Sequence, residues 1–217
     1  ACITEALGMM LPGGATPPAV TADRIRIAER TGAQAVAMIA AGLTPDRILT
    51  KQAFENALMV LLAIGGSTNG IVHLAAIAGR CGIHIDMQQV DRLGRDIPVL
   101  VDLKPSGSHY MEDLHKAGGL APVLRELSPF LHLDALTVTG RTLGEELERI
   151  APFPQDVVRT RDNPIYPQGG IAFLRGNLAP DGAIIKQSAA SATLMEHEGR
   201  VVAVSYTHLR AHETDSY

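Results

Sequence analysis

Apolar residues recur at helical spacing through most of positions 1–150. The opening run Ala1-Cys2-Ile3-Thr4-Glu5-Ala6-Leu7 already carries that pattern, and the Gly/Pro-rich stretch Leu11 to Pro18 interrupts it as a loop. Thr21 then reads as an N-cap with Asp23 in the first turn, and Ile25, Ala28, Ala35 and Ile39 carry a helix to about Gly42, with Gly32 as a point of interruption. Thr44-Pro45-Asp46 starts a short helical turn. Thr50 caps a helix running through Phe54, Leu58, Leu61 and Leu62 and closed by Gly65. Ser67-Thr68-Asn69 opens the next, in which Ile71, Val72, Leu74, Ala75 and Ile77 leave almost no polar face. A helix apolar nearly all round is expected to be buried, with His73 as a satisfied core histidine. Met87 to Leu93 predicts a surface helix and Val99-Leu100-Val101 a buried strand closed by Lys104-Pro105-Ser106-Gly107. Short helices follow over Met111 to Lys116, Ala121 to Leu127 and Thr142 to Ile150, the last with a capping-box start at Thr142, Glu145 and Glu146.

From Ala151 the texture changes. Pro152, Pro154, Pro164 and Pro167 mark a linker over 151–168. Beyond it Ile171 to Leu174, Ala183 to Lys186 and Val201 to Val204 read as short strands, with a hairpin turn over Asn177 to Gly182 between the first two. The fold class is therefore α/β: a helix-rich domain over 1–150, then the first strands of a β-type domain over 169–204. The chain starts without Met and inside a helical pattern, so it is expected to be a fragment.

Composition sharpens this picture by exclusion. Apolar residues make up 46% of the chain and charged residues 19%, which is enough for a core and excludes a disordered chain. A net charge of −4 lacks the basic footprint of a nucleic-acid binder, and 4% aromatics with no Trp leave little for base stacking. Cys2 and Cys81 form no disulfide framework and read as small buried hydrophobes in a reducing compartment. The stretch Asn56 to Gly79 carries no Lys, Arg, Asp or Glu, but Gly65 to Gly70 at its middle would leave backbone unsatisfied in lipid. A cytoplasmic protein with no membrane and no nucleic-acid partner is expected.

Two stretches could bear chemistry. In Gly65-Gly66-Ser67-Thr68-Asn69 the glycines admit close backbone approach, and the following helix offers unpaired N–H groups to an anionic carboxylate or a cluster sulfide. The competing reading is a helix cap supplied by Ser67 or Thr68. Lys104 could bring a cation to a substrate from a strand end, or be the exposed residue of a tight turn. Asp113 and His115, two apart, do not share a helix face and make a poor dyad. Lys186 reads as a solvated charge at a strand edge.

Several segments carry a family likeness. Thr4-Glu5-Ala6-Leu7-Gly8, Leu62 to Asn69, Asp102 to Gly107, Tyr110-Met111-Glu112-Asp113, Val138 to Leu143 and Gly176 to Gly182 resemble, in order, the dihydroxy-acid dehydratase and phosphogluconate dehydratase family. The likeness runs from residue 1 to about Val204. It implies a β-barrel-like swivelling domain after the Pro-rich break, and dehydration of a 2,3-dihydroxy acid to a 2-keto acid. An iron–sulfur cluster, a magnesium ion and a serine base in the swivelling domain would serve that reaction. The resemblance places the cluster cysteines, the magnesium carboxylates and that serine outside this chain, with Cys2 off the ligand position, so no catalytic or metal residue is assigned. Gly65, Gly66, Ser67, Thr68, Asn69 and Lys104 are the substrate-binding candidates. The substrate is a small dihydroxy acid of branched-chain amino-acid biosynthesis or an aldonate, and a homo-oligomer is expected of the complete protein. From another class, the apolar helices could form a non-catalytic assembly module. Ser205 to Thr214 resembles translated sequencing-adapter sequence; His208 and His212 have zinc-pair spacing beside Glu213, with no evident third ligand, and 205–217 is set aside as foreign.

Overall fold

The computed structural model describes residues 1–198 apart from 105, 153, 192, 194 and 197. Nine helices and a two-stranded sheet occur among the described residues: α1 (Cys2–Ala6), α2 (Ala22–Ala40), α3 (Pro45–Ile48), α4 (Lys51–Ala63), α5 (Thr68–Arg80), α6 (Met87–Asp96), α7 (Met111–Lys116), α8 (Ala121–Leu127), α9 (Leu143–Glu148), β1 (Ile171–Gly176) and β2 (Ala179–Lys186). The architecture is helix-rich α/β, as the periodicity predicts. The strand expected over Val201 to Val204 and the tail lie outside the described residues.

α4 is the axle of the core. Its residues from Ala57 to Ala63 are buried without a break, and it packs against α1, α5, α6 and α8. Asn56, fully buried on this helix, has both ends of its amide used. Its Nδ2 donates to the His132 carbonyl at 3.0 Å and its Oδ1 accepts the His132 N–H at 2.8 Å. Helix starts follow the caps: Thr50 Oγ1 accepts the Ala53 N–H, Asp86 Oδ1 accepts the Gln88 N–H, and Thr142 with Glu145 forms the expected capping box.

Several expectations are corrected. α2 runs through Gly32 unbroken; Thr21 is its N-cap residue as expected, but its hydroxyl donates back to the Pro18 carbonyl and makes no cap hydrogen bond. α5 is not buried all round: Val72, His73 and Ile77 are exposed, because only the Ile71, Leu74 and Ala78 side of the helix meets the core. His73 is thus a surface residue, not a core histidine. The hairpin turn narrows to Asn177-Leu178, since the ladder resumes at Gly176↔Ala179 and an irregularity after Leu174 absorbs the offset. Lys186 is half-buried, and loss of solvent pulls its ammonium below the usual range.

Residues 99–102 form a joint instead of a continuous strand. The Leu100 N–H donates to the carbonyl of Ala63 at the end of α4, at 2.8 Å. From the Pro-rich stretch, Tyr166 accepts from the Val99 N–H, Ile165 donates to the Val99 carbonyl, Arg159 donates to the Leu100 carbonyl and Val157 accepts from Asp102. The connector is therefore laced to the helical part through Val157 and Val158, both buried. The hairpin rests on α6 and α5.

Candidate active site

The turn between α4 and α5 explains its own glycines first. Gly65 adopts φ +58°, its N–H donates to the Leu62 carbonyl at 3.2 Å, and the Gly66 N–H donates to the Leu61 carbonyl at 2.9 Å. This double bond pattern is a Schellman close of α4 and requires the left-handed backbone that glycine adopts without strain. A Cβ on Gly66 would lie 2.3 Å from Leu61 Cδ1, so the second glycine lets the turn settle onto α4. The close approach made here is to Leu61. Ser67, not Thr68, is the N-cap of α5: its Oγ accepts the Asn69 N–H at 3.3 Å. The Thr68 side chain, partly exposed at the first helical position, is not the cap.

The Lys104 loop lies beside this turn. Gly65, Val99, Asp102, Ser106, Gly107 and Tyr166 share the wall of one small pocket, so two stretches nearly forty positions apart in sequence meet there. Lys104 is exposed; its Nζ sits 2.6 Å from the Tyr110 hydroxyl and 3.9 Å from the centre of the same ring. The loop also holds a pair that the sequence reading missed. Asp102 Oδ2 is 3.1 Å from His109 Nδ1, while Asp102 Oδ1 accepts the Ser108 N–H at 2.9 Å. The available signal was Gly107, whose missing side chain leaves room for the Asp102 carboxylate as residue 109 returns onto residue 102. Asp113, by contrast, accepts the Tyr110 N–H, and His115 turns to Thr16 at 3.1 Å and Asp23 at 3.5 Å. The two form no dyad, as their spacing predicts.

The loop over Leu11 to Pro18 is clamped from both sides. Buried Glu5 accepts the Gly13 N–H at 2.9 Å and the Ala15 N–H at 2.8 Å, and Arg24 donates to the carbonyls of Gly14 and Pro17. Burial pushes the Glu5 carboxyl above its ordinary range, partly offset by these backbone donors. Arg26 and His115 hold Asp23 below its ordinary range. The Val138 to Leu143 stretch is held by buried Glu146 of α9, which accepts from Arg141 Nε at 2.8 Å and from the Thr139 hydroxyl.

Residues 1–146 match the family model for the N-terminal region of dihydroxy-acid/6-phosphogluconate dehydratases, and residues 156–214 match that for the C-terminal region. The chain belongs to this dehydratase family. The C-terminal match passes Val204 and includes residues 205–214. A dihydroxy-acid dehydratase of Caldanaerobacter subterraneus subsp. tengcongensis is 48% identical over 200 residues, covering 91% of this chain and 36% of that protein. An L-arabinonate dehydratase of Rhizobium leguminosarum bv. trifolii is likewise 48% identical over 200 residues, covering 91% and 34%. An L-arabonate dehydratase of Azospirillum brasilense is 47% identical over 205 residues, covering 93% and 35%. The chain thus spans about a third of the length of these curated relatives.

Membership of a dehydratase family points to a metal cofactor in general. The described side chains do not fit one. Cys2 is buried in the core on α1, and desolvation pushes its thiol up, away from the thiolate a cluster needs. Cys81, against the expectation of a buried side chain, is exposed because it lies past the last turn of α5, and no group of three His, Cys, Asp or Glu among the described residues could hold a metal ion. No helix among them is long and apolar enough to cross a membrane.

Proposed function

We propose that this chain is part of a cytoplasmic hydro-lyase that dehydrates a 2,3-dihydroxy acid to its 2-keto acid, a branched-chain dihydroxy acid being the first candidate. The observation that supports a site inside the chain is the meeting of the Gly65 turn with the Lys104 loop. A substrate carboxylate there would lie near the positive end of the 13-residue helix α5, with Lys104 on the neighbouring loop free to swing from Tyr110 toward it. Gly65, Gly66, Ser67, Thr68, Asn69 and Lys104 are the binding residues in this reading. The iron–sulfur cluster and magnesium ion that the resemblance implies would be held by residues of the complete protein outside this chain.

The aldonate reading stands beside the first, because the relatives named L-arabinonate and L-arabonate dehydratase are as similar as the dihydroxy-acid dehydratase. Both substrates share the 2,3-dihydroxycarboxylate that the proposed site would grip. The test is formation of 2-keto acid by the full-length holoenzyme, with a branched-chain 2,3-dihydroxy acid and L-arabinonate compared directly. In that enzyme Thr68→Ala is expected to lower kcat/KM by roughly tenfold or more, the worth of a hydrogen bond to a charged group. Because Ser67 already caps α5, stability should barely change. Normal kinetics in Thr68→Ala would remove that hydroxyl from the binding site.

A further inference from the structure

The 102–110 loop is built around a carboxylate and an imidazole. The loop is closed by its own backbone: the His109 N–H donates to the Asp102 carbonyl at 3.2 Å, the Lys104 N–H to the His109 carbonyl at 2.9 Å, and the Gly107 N–H to the Leu103 carbonyl at 2.8 Å. A Cβ on Gly107 would fall 2.1 Å from Asp102 Oδ1, so the carboxylate has its place because residue 107 is glycine. With Oδ1 engaged by the Ser108 N–H, Oδ2 is left for His109. An ionised carboxylate only accepts, so the proton of the neutral ring belongs on Nδ1 and the lone pair on Nε2. The same contact fixes the orientation of the ring and leaves Nε2 on the side away from Asp102. His109 is partly exposed, and Asp102 and Gly107 belong to the pocket wall shared with Gly65.

We propose that His109 is a proton-transfer residue of the dehydratase, with Asp102 as its positioning residue; this deepens the functional reading above and rests on it. Loss of the C2 proton and the C3 hydroxide, which together leave as water, gives an enol. That enol becomes the 2-keto acid when its O–H proton departs and a proton adds at C3. His109 Nε2 takes the enol proton, the O–H electron pair becomes the carbonyl π bond, and the C2=C3 pair forms the new C3–H bond with the proton returned by the imidazolium. The C2 oxygen and C3 are bonded to one common carbon, so a single ring nitrogen serves both.

The test is the stereochemistry of C3 in product formed in D2O, using a substrate such as L-arabinonate whose C3 becomes stereogenic on deuteration. The wild-type holoenzyme should deliver deuterium to one face. His109→Gln should lower kcat about a hundredfold, the usual worth of general acid–base catalysis, with little change in KM, and should yield both C3 epimers as the enol ketonises in solution. Asp102→Asn, which turns the ring to the other tautomer, should also scramble C3, with a smaller loss of kcat. It is a second route to the same readout if His109→Gln folds poorly. One-faced deuteration in both variants would overturn the proposal. A wild-type holoenzyme that dehydrates neither class of acid would instead overturn the functional reading, and this proposal with it.

Discussion

α4 and α2 both announce themselves in the sequence as apolar-periodic helices, and the fold treats them in opposite ways. In α4 every residue from Asn56 to Ala63 is buried; in the 19 residues of α2 only Ile27 is. The residues that carry the α2 pattern, Ile25 and Ile39, are 72% and 81% exposed. The inner face of α2 is Ile27, Thr31, Gln34 and Met38, spaced as one helical stripe. This stripe fronts a cleft of about 500 Å³ shared with Met9, Met10 and Val138, and Gln34 Nε2 crosses to the Val138 carbonyl at 2.7 Å. Period reveals that a segment is helical. It does not reveal which stripe meets the protein when Ala, Thr and Gln sit among the aliphatics.

The sharpest way to break the contrast is in α4. Leu62→Ala at a fully buried position should cost about 2–5 kcal/mol, read from urea unfolding. A loss under 1 kcal/mol would mean that α4 is not the packed centre. The next effect falls at Glu5, which joins α1 to the clamped loop. Glu5→Ala strips the acceptor from the Gly13 and Ala15 N–H groups at every pH, a loss of about 1–3 kcal/mol. Its pH dependence has a definite sign. Because the folded-state carboxyl titrates above its unfolded value, the advantage of the protonated form is fully present below the unfolded value and disappears as pH rises through the folded one. The gap between wild type and Glu5→Ala should therefore be widest in acid and narrow toward neutral pH; a gap that widens would reverse the assigned shift. Smallest of all, Ile39→Ser on the outer face of α2 should change stability by about 0.5 kcal/mol or less. A drop comparable to that of Leu62→Ala would show that this face is covered.

What was legible in the sequence follows the same divide between local and distant chemistry. The caps at Thr50, Ser67 and Thr142 could be read because a cap and its N–H lie within three positions. The Asp102–His109 pair had only Gly107 as a signal, and whether it forms depends on how closely residue 109 returns to residue 102. The role of Glu5 stayed hidden because its partners lie eight and ten residues away across a loop. At the proposed binding turn the sequence suggested a close backbone approach and a helix cap without dividing these jobs among the residues. The geometry gives Gly65 and Gly66 the closing of α4 and Ser67 the cap of α5, leaving the Thr68 hydroxyl as the group whose role only kinetics can reveal.

The joint at residues 99–102 has a mechanical consequence. Its hydrogen bonds run one way to the end of α4 and the other way to residues 157–166, just before the hairpin. Displacing the hairpin pulls first on Val99 and Leu100, and through the Leu100–Ala63 bond on the residue two before Gly65. The passage between the two halves is thus a bonded joint rather than a free tether, and the residue it holds on the helical side, Ala63, lies at the turn that leads into α5.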